Sequence, residues 1–116
     1  LLQGGPAQKT KKASALVVNP THYAIALYYN EIITPLPIVL AKGIDFQAQI
    51  MKKVAREYNV PIMENVPLAR SLWEKCKVND FIPVELAGAV AEVLKWVKSL
   101  DEAKKEDEEL DSISIE

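Results

Sequence analysis

The 116-residue chain has one cysteine, one histidine and four glycines, and each scarcity closes off a kind of chemistry. A lone Cys76 forms no internal disulfide, which fits a reducing compartment. No histidine lies near it in sequence, so it reads as a half-buried helical thiol rather than a nucleophile. One histidine and one cysteine do not make a metal site, and no cofactor is expected. No glycine-rich loop follows a hydrophobic run, which argues against a nucleotide cradle. No stretch approaches the roughly 20 apolar residues of a membrane helix, and the start carries no signal-peptide pattern. The basic residues are too few, and too little interleaved with aromatics, for a nucleic-acid surface.

What is present is a core. The chain is 49% hydrophobic, ample for a single domain. Its net charge of −2 hides an asymmetry. Residues 1–100 carry 12 Lys or Arg against 8 Asp or Glu, whereas residues 101–116 carry 2 against 8. Three regions follow. Residues 1–12, with Gly4, Gly5, Pro6 and the basic Lys9, Lys11 and Lys12, read as a linker without a stable helix. Residues 13–100 form the domain. Residues 101–116 are an acidic tail that extends the last helix by a turn or two and is otherwise disordered.

Within the domain the patterning alternates between strand and helix. Strands are expected at Ala15–Val18, Tyr23–Tyr29, Ile38–Ala41 and from Val60 to Met63. In the second, Tyr23, Ile25, Leu27 and Tyr29 should face the core and the alanines a close neighbour. Pro35 and Pro37 keep residues 30–37 irregular. A helix capped by Asp45 is expected over Phe46–Tyr58, burying Phe46, Ile50, Val54 and Tyr58, with Met51 and Ala55 beside them. A second, over Leu68–Cys76, starts at Asn65 and Pro67, buries Leu68 and Leu72, and pairs Arg70 with Glu74. The last, over Val84–Leu100, carries Leu86, Val90, Val93, Leu94 and Val97 on one stripe. The fold class is α/β: a small four-stranded, mostly mixed sheet flanked by three to four helices, with a parallel crossover between strands three and four.

The chemistry-bearing stretch joins the first two strands: Asn19-Pro20-Thr21-His22. Proline suits the second position of a tight turn and holds Asn19 out of the α region. Because Pro20 has no N–H, ordinary deamidation of Asn19 is closed. The route that remains is attack by the Asn19 amide nitrogen on its own carbonyl carbon. It closes a five-membered ring and cuts the backbone between Asn19 and Pro20. A neutral amide needs positioning and proton removal. His22 is the candidate to take the proton or hold a relay water. The Thr21 hydroxyl or N–H is the candidate to support the oxyanion. A plain turn has the same composition, since Asn and Pro are common in turns.

At average composition this tetrapeptide is expected on the order of once in 10⁵ positions or fewer. Between two hydrophobic strands it resembles the signature of the type III secretion export-switch family, the FlhB/YscU/SpaS/EscU group. The resemblance continues in order through Thr34-Pro35-Leu36-Pro37, Ala41-Lys42-Gly43, Val60-Pro61-Ile62, Glu64-Asn65 and Pro67-Leu68-Ala69-Arg70. It ends in Ile82-Pro83-Val84-Glu85-Leu86 and Val90-Ala91-Glu92-Val93-Leu94, covering residues 13–100. It implies a cytoplasmic domain of a bacterial inner-membrane protein, with residues 1–12 as the linker from an upstream membrane domain, that cuts itself between Asn19 and Pro20, with Asn19, Pro20, Thr21 and His22 as the reacting group. The cut would be a single-turnover event that permits a change of export substrate class, with the two fragments remaining associated. The implied partners are other export-gate proteins, a hook or needle length-control protein and export substrates. Tyr23 and Ala41-Lys42-Gly43 look flagellar and Thr34-Pro35-Leu36-Pro37 injectisome-like, so both memberships stay open. The alternatives from other classes are a docking module that never cleaves and, more weakly, a nucleotide-binding domain.

Overall fold

The hydrophobic run that opens the domain becomes an inner strand, and the other elements are laid against it. A computed structural model describes residues 4–113. Its strands are β1 (Ala15–Asn19), β2 (Tyr23–Tyr28), β3 (Ile38–Ile44) and β4 (Ile62–Glu64), in the sheet order β3-β2-β1-β4. β1 pairs antiparallel with β2 and parallel with β4. β2 pairs antiparallel with β3, so the fold is a mixed four-stranded α/β sheet. The chain passes from β3 through a helix to the parallel β4 at the opposite edge, as the long connection predicts. β1 is buried on both faces because both faces carry helices.

Alternation along β2 sorts the two cores as expected. Ile25 and Leu27 join Ala15, Val17 and Val39 on one face, against α3 (Val66–Lys75) and α4 (Ala87–Ile113). Ala24 and Ala26 join Leu16 and Val18 on the other face, against α2 (Phe46–Glu57). The register slips between Ala26 and Leu27, where Leu40 of β3 bulges out of the pairing. The bulge puts Leu40 and Ala41 together on the α2 face while Val39 stays on the other. Each fully buried Leu, Ile or Val contributes about 1.5–3 kcal/mol.

Several details depart from the sequence reading. α2 centres its buried face on Ala48, Met51 and Ala55, of which Met51 and Ala55 were expected near it; Ile50 and Val54 are half-buried, while Phe46 and Tyr58 are exposed. The small residues win because the sheet face they meet is lined by Ala24, Ala26 and Gly43, which admits the helix closely. A Cβ on Gly43 would strike the Met51 sulfur and crowd the Ala48 backbone. Residues 1–12 are not featureless: Pro6–Thr10 form a short helix, α1, beside α2 and β3. Pro6 sits in its first turn, where a missing N–H costs nothing. Thr10 is fully buried and its hydroxyl donates to Pro6 O at 2.7 Å. Lys11 lies over the Tyr58 ring, 4.9 Å from its centroid. At the other end a 3₁₀ turn, Val84–Leu86, leads into α4, which runs on to Ile113, well past the turn or two beyond Leu100 that was expected, so the described part of the acidic tail is helical. The parts of the linker and tail readings that fall on residues 1–3 and 114–116 lie outside the described residues. Among the described residues, no helix is long and apolar enough to cross a membrane.

Arg70 is exposed and makes no ion pair with Glu74; among the described residues the one ion pair is Lys95–Glu92. Cys76 is buried just beyond α3 rather than half-exposed within it.

Candidate functional site

The four residues singled out by sequence form one tight turn at the β1–β2 junction. Asn19 is the last residue of β1 and pairs with Tyr23, the first of β2. The His22 N–H donates to Asn19 O at 3.0 Å, which closes the turn with Pro20 at its second position. Asn19 is buried at 6% exposure, whereas Thr21 and His22 are exposed. Strand alternation puts the Asn19 side chain on the same face as Val17, toward α3. Among the described residues its amide makes no hydrogen bond to protein, and since no buried polar side-chain atom lacks a partner there, the amide reaches solvent rather than a fixed protein group.

The turn is anchored from two sides by different elements. On the Asn19 side, Asn65 N–H donates to Val18 O at 3.0 Å. Asn65 is also the cap of α3, its side-chain oxygen accepting from Leu68 N–H at 3.1 Å. On the far side, Asp45 N–H donates to His22 O at 2.9 Å, and Gln49 Nε2 donates to Pro20 O at 3.2 Å. Asp45 was expected to cap α2 with its side chain; it occupies the cap position but makes no side-chain cap bond. Its backbone sits at φ 50°, ψ −114°, a region that costs a non-glycine residue about 1–3 kcal/mol.

An aromatic and cationic stack supports the base of the turn. Tyr23 stacks on Trp73 at 4.9 Å between ring centroids, tilted by only 17°. On Trp73 lies Lys42 Nζ, 4.8 Å from the ring centroid, and it donates to the carbonyls of Trp73 and Cys76 at 2.8 and 2.9 Å. The lysine thereby satisfies orphan carbonyls at the α3 C-terminus, where a cation is favoured.

The structure brings Asn19, Pro20 and the His22 backbone together but separates two expected roles. The donor on Asn19 O is the His22 N–H; no bond from the Thr21 hydroxyl or N–H reaches that oxygen among the described residues. The His22 ring is near Tyr23, 6.0 Å between centroids, and among the described residues no hydrogen bond joins it to the Asn19 amide. Proline at the second position of a four-residue turn already implied an N–H from position 22 onto O of position 19. Gln49 and Asp45 had no such signal, because they reach the turn only through the packing of α2. No group of His, Cys, Asp and Glu among the described residues is placed to hold a metal.

Away from the turn, a solvent-open groove of about 800 Å³ runs between the β2–β3 loop and α4. Ile32, Pro35 and Leu36 line one wall, and Ala87, Ala91 and Leu94 the other. The loop wall is held by a reciprocal pair, Thr34 Oγ1 donating to Asn30 O at 3.1 Å and accepting from Asn30 N–H at 3.2 Å. Ile32 is 90% exposed.

Comparison with known proteins places this geometry among others like it. A family model described as the FlhB HrpN YscU SpaS family matches residues 1–97. The Yop proteins translocation protein U of Yersinia pestis is 42% identical over 103 residues, covering 89% of this chain and 29% of that protein. The flagellar biosynthetic protein FlhB of Yersinia enterocolitica is 46% identical over 95 residues, covering 82% of this chain and 25% of that protein. This chain thus spans less than a third of the length of either relative. Among solved structures, the cytoplasmic domain of FlhB from Shewanella putrefaciens superposes with a TM-score of 0.81 at 39% identity, over 86% of this chain and 77% of that one. The PscU C-terminal domain gives 0.65 at 41% identity, over 67% and 99%.

Proposed function

The chain belongs to the FlhB, HrpN, YscU and SpaS family of type III secretion and flagellar export proteins, and on that premise we propose that it cuts its own backbone between Asn19 and Pro20. The observation that supports this reading most directly is the Asn19–His22 turn, with an unengaged amide on one side of the scissile bond and a fixed N–H donor on the carbonyl it would attack.

In the proposed reaction the Asn19 Nδ2 attacks the Asn19 carbonyl carbon. A proton leaves Nδ2, taken by the His22 imidazole directly or through water. Negative charge gathers on Asn19 O, where the His22 N–H already donates at 3.0 Å. A preorganised donor aimed at a developing oxyanion is worth about 2.7–4 kcal/mol in enzymes that use one. The bond from the carbonyl carbon to Pro20 N then breaks, and that nitrogen takes up a proton. The products are an aminosuccinimide at residue 19 and a free secondary amine at Pro20. Water later opens the ring. Apart from the water that opens the ring no external reagent is consumed, and the event would happen once per chain, as a single turnover rather than enzymatic cycling.

The cut would permit the change of export substrate class in an inner-membrane export apparatus, with this domain on the cytoplasmic side. Its partners would be other export-gate proteins, a hook or needle length-control protein and export substrates. The deciding measurement is denaturing mass spectrometry of freshly folded protein. Fragments 1–19 and 20–116 support the reading, and a single intact mass after prolonged incubation at neutral pH refutes it. A second reading, a docking module that never cleaves, is favoured by the apolar groove between the β2–β3 loop and α4. It would stand if the chain stays whole and still binds export-apparatus partners.

A further inference from the structure

The two halves of the cleavage turn are held by different parts of the fold. Asn19 is tied through β1 to β2, and Val18 O to Asn65 at the head of α3. The leaving half, Pro20 to His22, is tied to the start of α2. Both of its outward carbonyls are taken there: Pro20 O by the Gln49 side chain at 3.2 Å, and His22 O by the Asp45 N–H at 2.9 Å. The two donors are rigidly coupled, since Gln49 N–H donates to Asp45 O at 3.1 Å in the first turn of that helix. Asp45 makes this bond with its backbone at φ 50°, a conformation an L residue rarely adopts.

We propose that Gln49 is a positioning residue for cleavage, and that with the Asp45 N–H it makes the first turn of α2 a splint on the leaving half. The proposal rests on the self-cleavage reading and deepens it. Gln49 touches neither the attacking nitrogen nor the carbonyl carbon. By holding the Pro20 carbonyl it restrains rotation about the Pro20 Cα–C bond and, with the Asp45 bond to His22 O, limits how far the Pro20 ring and the plane of the bond to be broken can swing. Anchoring both sides converts a mobile turn into one held near the reacting geometry. The same contacts outlast the cut, because none of them crosses the scissile bond. Pro20, Thr21 and His22 therefore stay on α2 after cleavage while Asn19 stays with β1.

The test uses pulse-labelled full chain made by cell-free translation, followed for cut and uncut species over time. Gln49 is exposed, so substitutions there leave the core alone. Gln49→Ala loses one hydrogen bond and should cleave about three- to tenfold more slowly. Gln49→Glu places an acceptor against the Pro20 carbonyl and should be at least as slow. Gln49→Lys restores a donor and should recover a rate within about twofold of the parent. Melting temperatures of all three should agree with the parent within about 2 °C, a shift well under 1 kcal/mol for a domain of this size. The splint is overturned if Gln49→Ala cuts at the parental rate, or if Gln49→Lys is as slow as Gln49→Ala. A fall in melting temperature that tracks the rates would also overturn it, by making Gln49 merely structural. A parent chain that stays whole is a different result: it refutes self-cleavage itself, and the splint with it.

Discussion

The backbone N–H of His22 lies 3.0 Å from the carbonyl oxygen of Asn19, so the last residue of the turn already holds the atom that would carry charge when the first residue reacts. The bond assigns a chemical task to the His22 backbone separate from its imidazole, which is exposed and turned toward Tyr23. His22→Ala keeps the N–H. It should therefore slow the proposed cleavage without stopping it, as followed by the ratio of cut to uncut chain. Complete arrest in a folded His22→Ala variant would show the imidazole to be indispensable, and an unchanged rate would show it to be idle.

After a cut, the fragment 1–19 should not leave. β1 lies between β2 and β4 in the sheet, and Ala15, Leu16 and Val17 are fully buried. Freeing the strand would expose these side chains and leave the ladder hydrogen bonds of its neighbours unmet. Native gel filtration should give one species from a sample that denaturing mass spectrometry resolves into two. In urea, release of the fragment should coincide with loss of the circular dichroism signal. Release at denaturant concentrations well below that transition would contradict this packing.

Gly43→Ala should destabilise the fold by about 1–3 kcal/mol, the usual cost of overpacking. The new methyl group would enter space held by the Met51 sulfur, with Gln47 Cγ and the Ala48 backbone also close. Thermal unfolding should show a drop of about 4–8 °C per kcal/mol. Met51→Ala in the same chain opens that space, so the double variant should lose less than the two single losses combined. Strict additivity would mean that Gly43 and Met51 do not share the contact.

These contacts mark how far the sequence could be read. Alternation along Tyr23–Tyr28 placed Ile25 and Leu27 opposite Ala24 and Ala26 correctly, because a period of two leaves no other choice. The stripe Leu86, Val90, Val93 was equally plain. The face of α2 was not. Its largest apolar residues, Phe46 and Tyr58, suggested one face, but the close approach at Gly43 selected Ala48, Met51 and Ala55. That constraint sits on another strand and leaves no periodic mark on the helix. The cleavage turn was legible as a turn because Pro20 punctuates it. The donors at Asp45 and Gln49, and the Lys42 cap on α3, depend on tertiary packing and were invisible to spacing alone.

Cys76 should be a poor nucleophile in the folded protein. Burial raises its thiol above the ordinary value, the nearby Asp80 raises it further, and Lys42 opposes both. The neutral thiol is thus favoured by folding. Its contribution to stability is full at neutral pH and is lost as pH climbs from the ordinary thiol range through the raised native value. Alkylation by iodoacetamide at pH 8 should run at least ~10-fold slower in the native protein than in urea. Equal rates in the two states would contradict the burial of this side chain.

The last prediction ties the cut to the change of substrate class. Asn19→Ala removes the attacking nitrogen, so the chain should stay whole. The Asn19 amide caps nothing, so the cost to stability should be within about 1 kcal/mol. Circular dichroism should show a native melt. In the whole chain, Pro20 to His22 are held to β1 by the peptide bond and the His22 N–H bond to Asn19 O, and to α2 by Gln49 and Asp45. Cutting removes the covalent link and keeps the bonds to α2, which leaves Asn19 held to the turn only by hydrogen bonds that can break without unfolding either side. A partner that recognises the surface around Thr21 and His22 would then meet two distinct states of one fold. Cells whose full-length protein carries Asn19→Ala should assemble the apparatus and export early hook or needle subunits, yet pass poorly to later filament or translocator subunits. The measurement is the ratio of late to early subunits in the culture medium, beside a blot showing the chain uncut. Normal late export from that folded, uncut variant would separate cleavage from the switch and leave the apolar groove by α4 as the better place to look for how substrates are told apart.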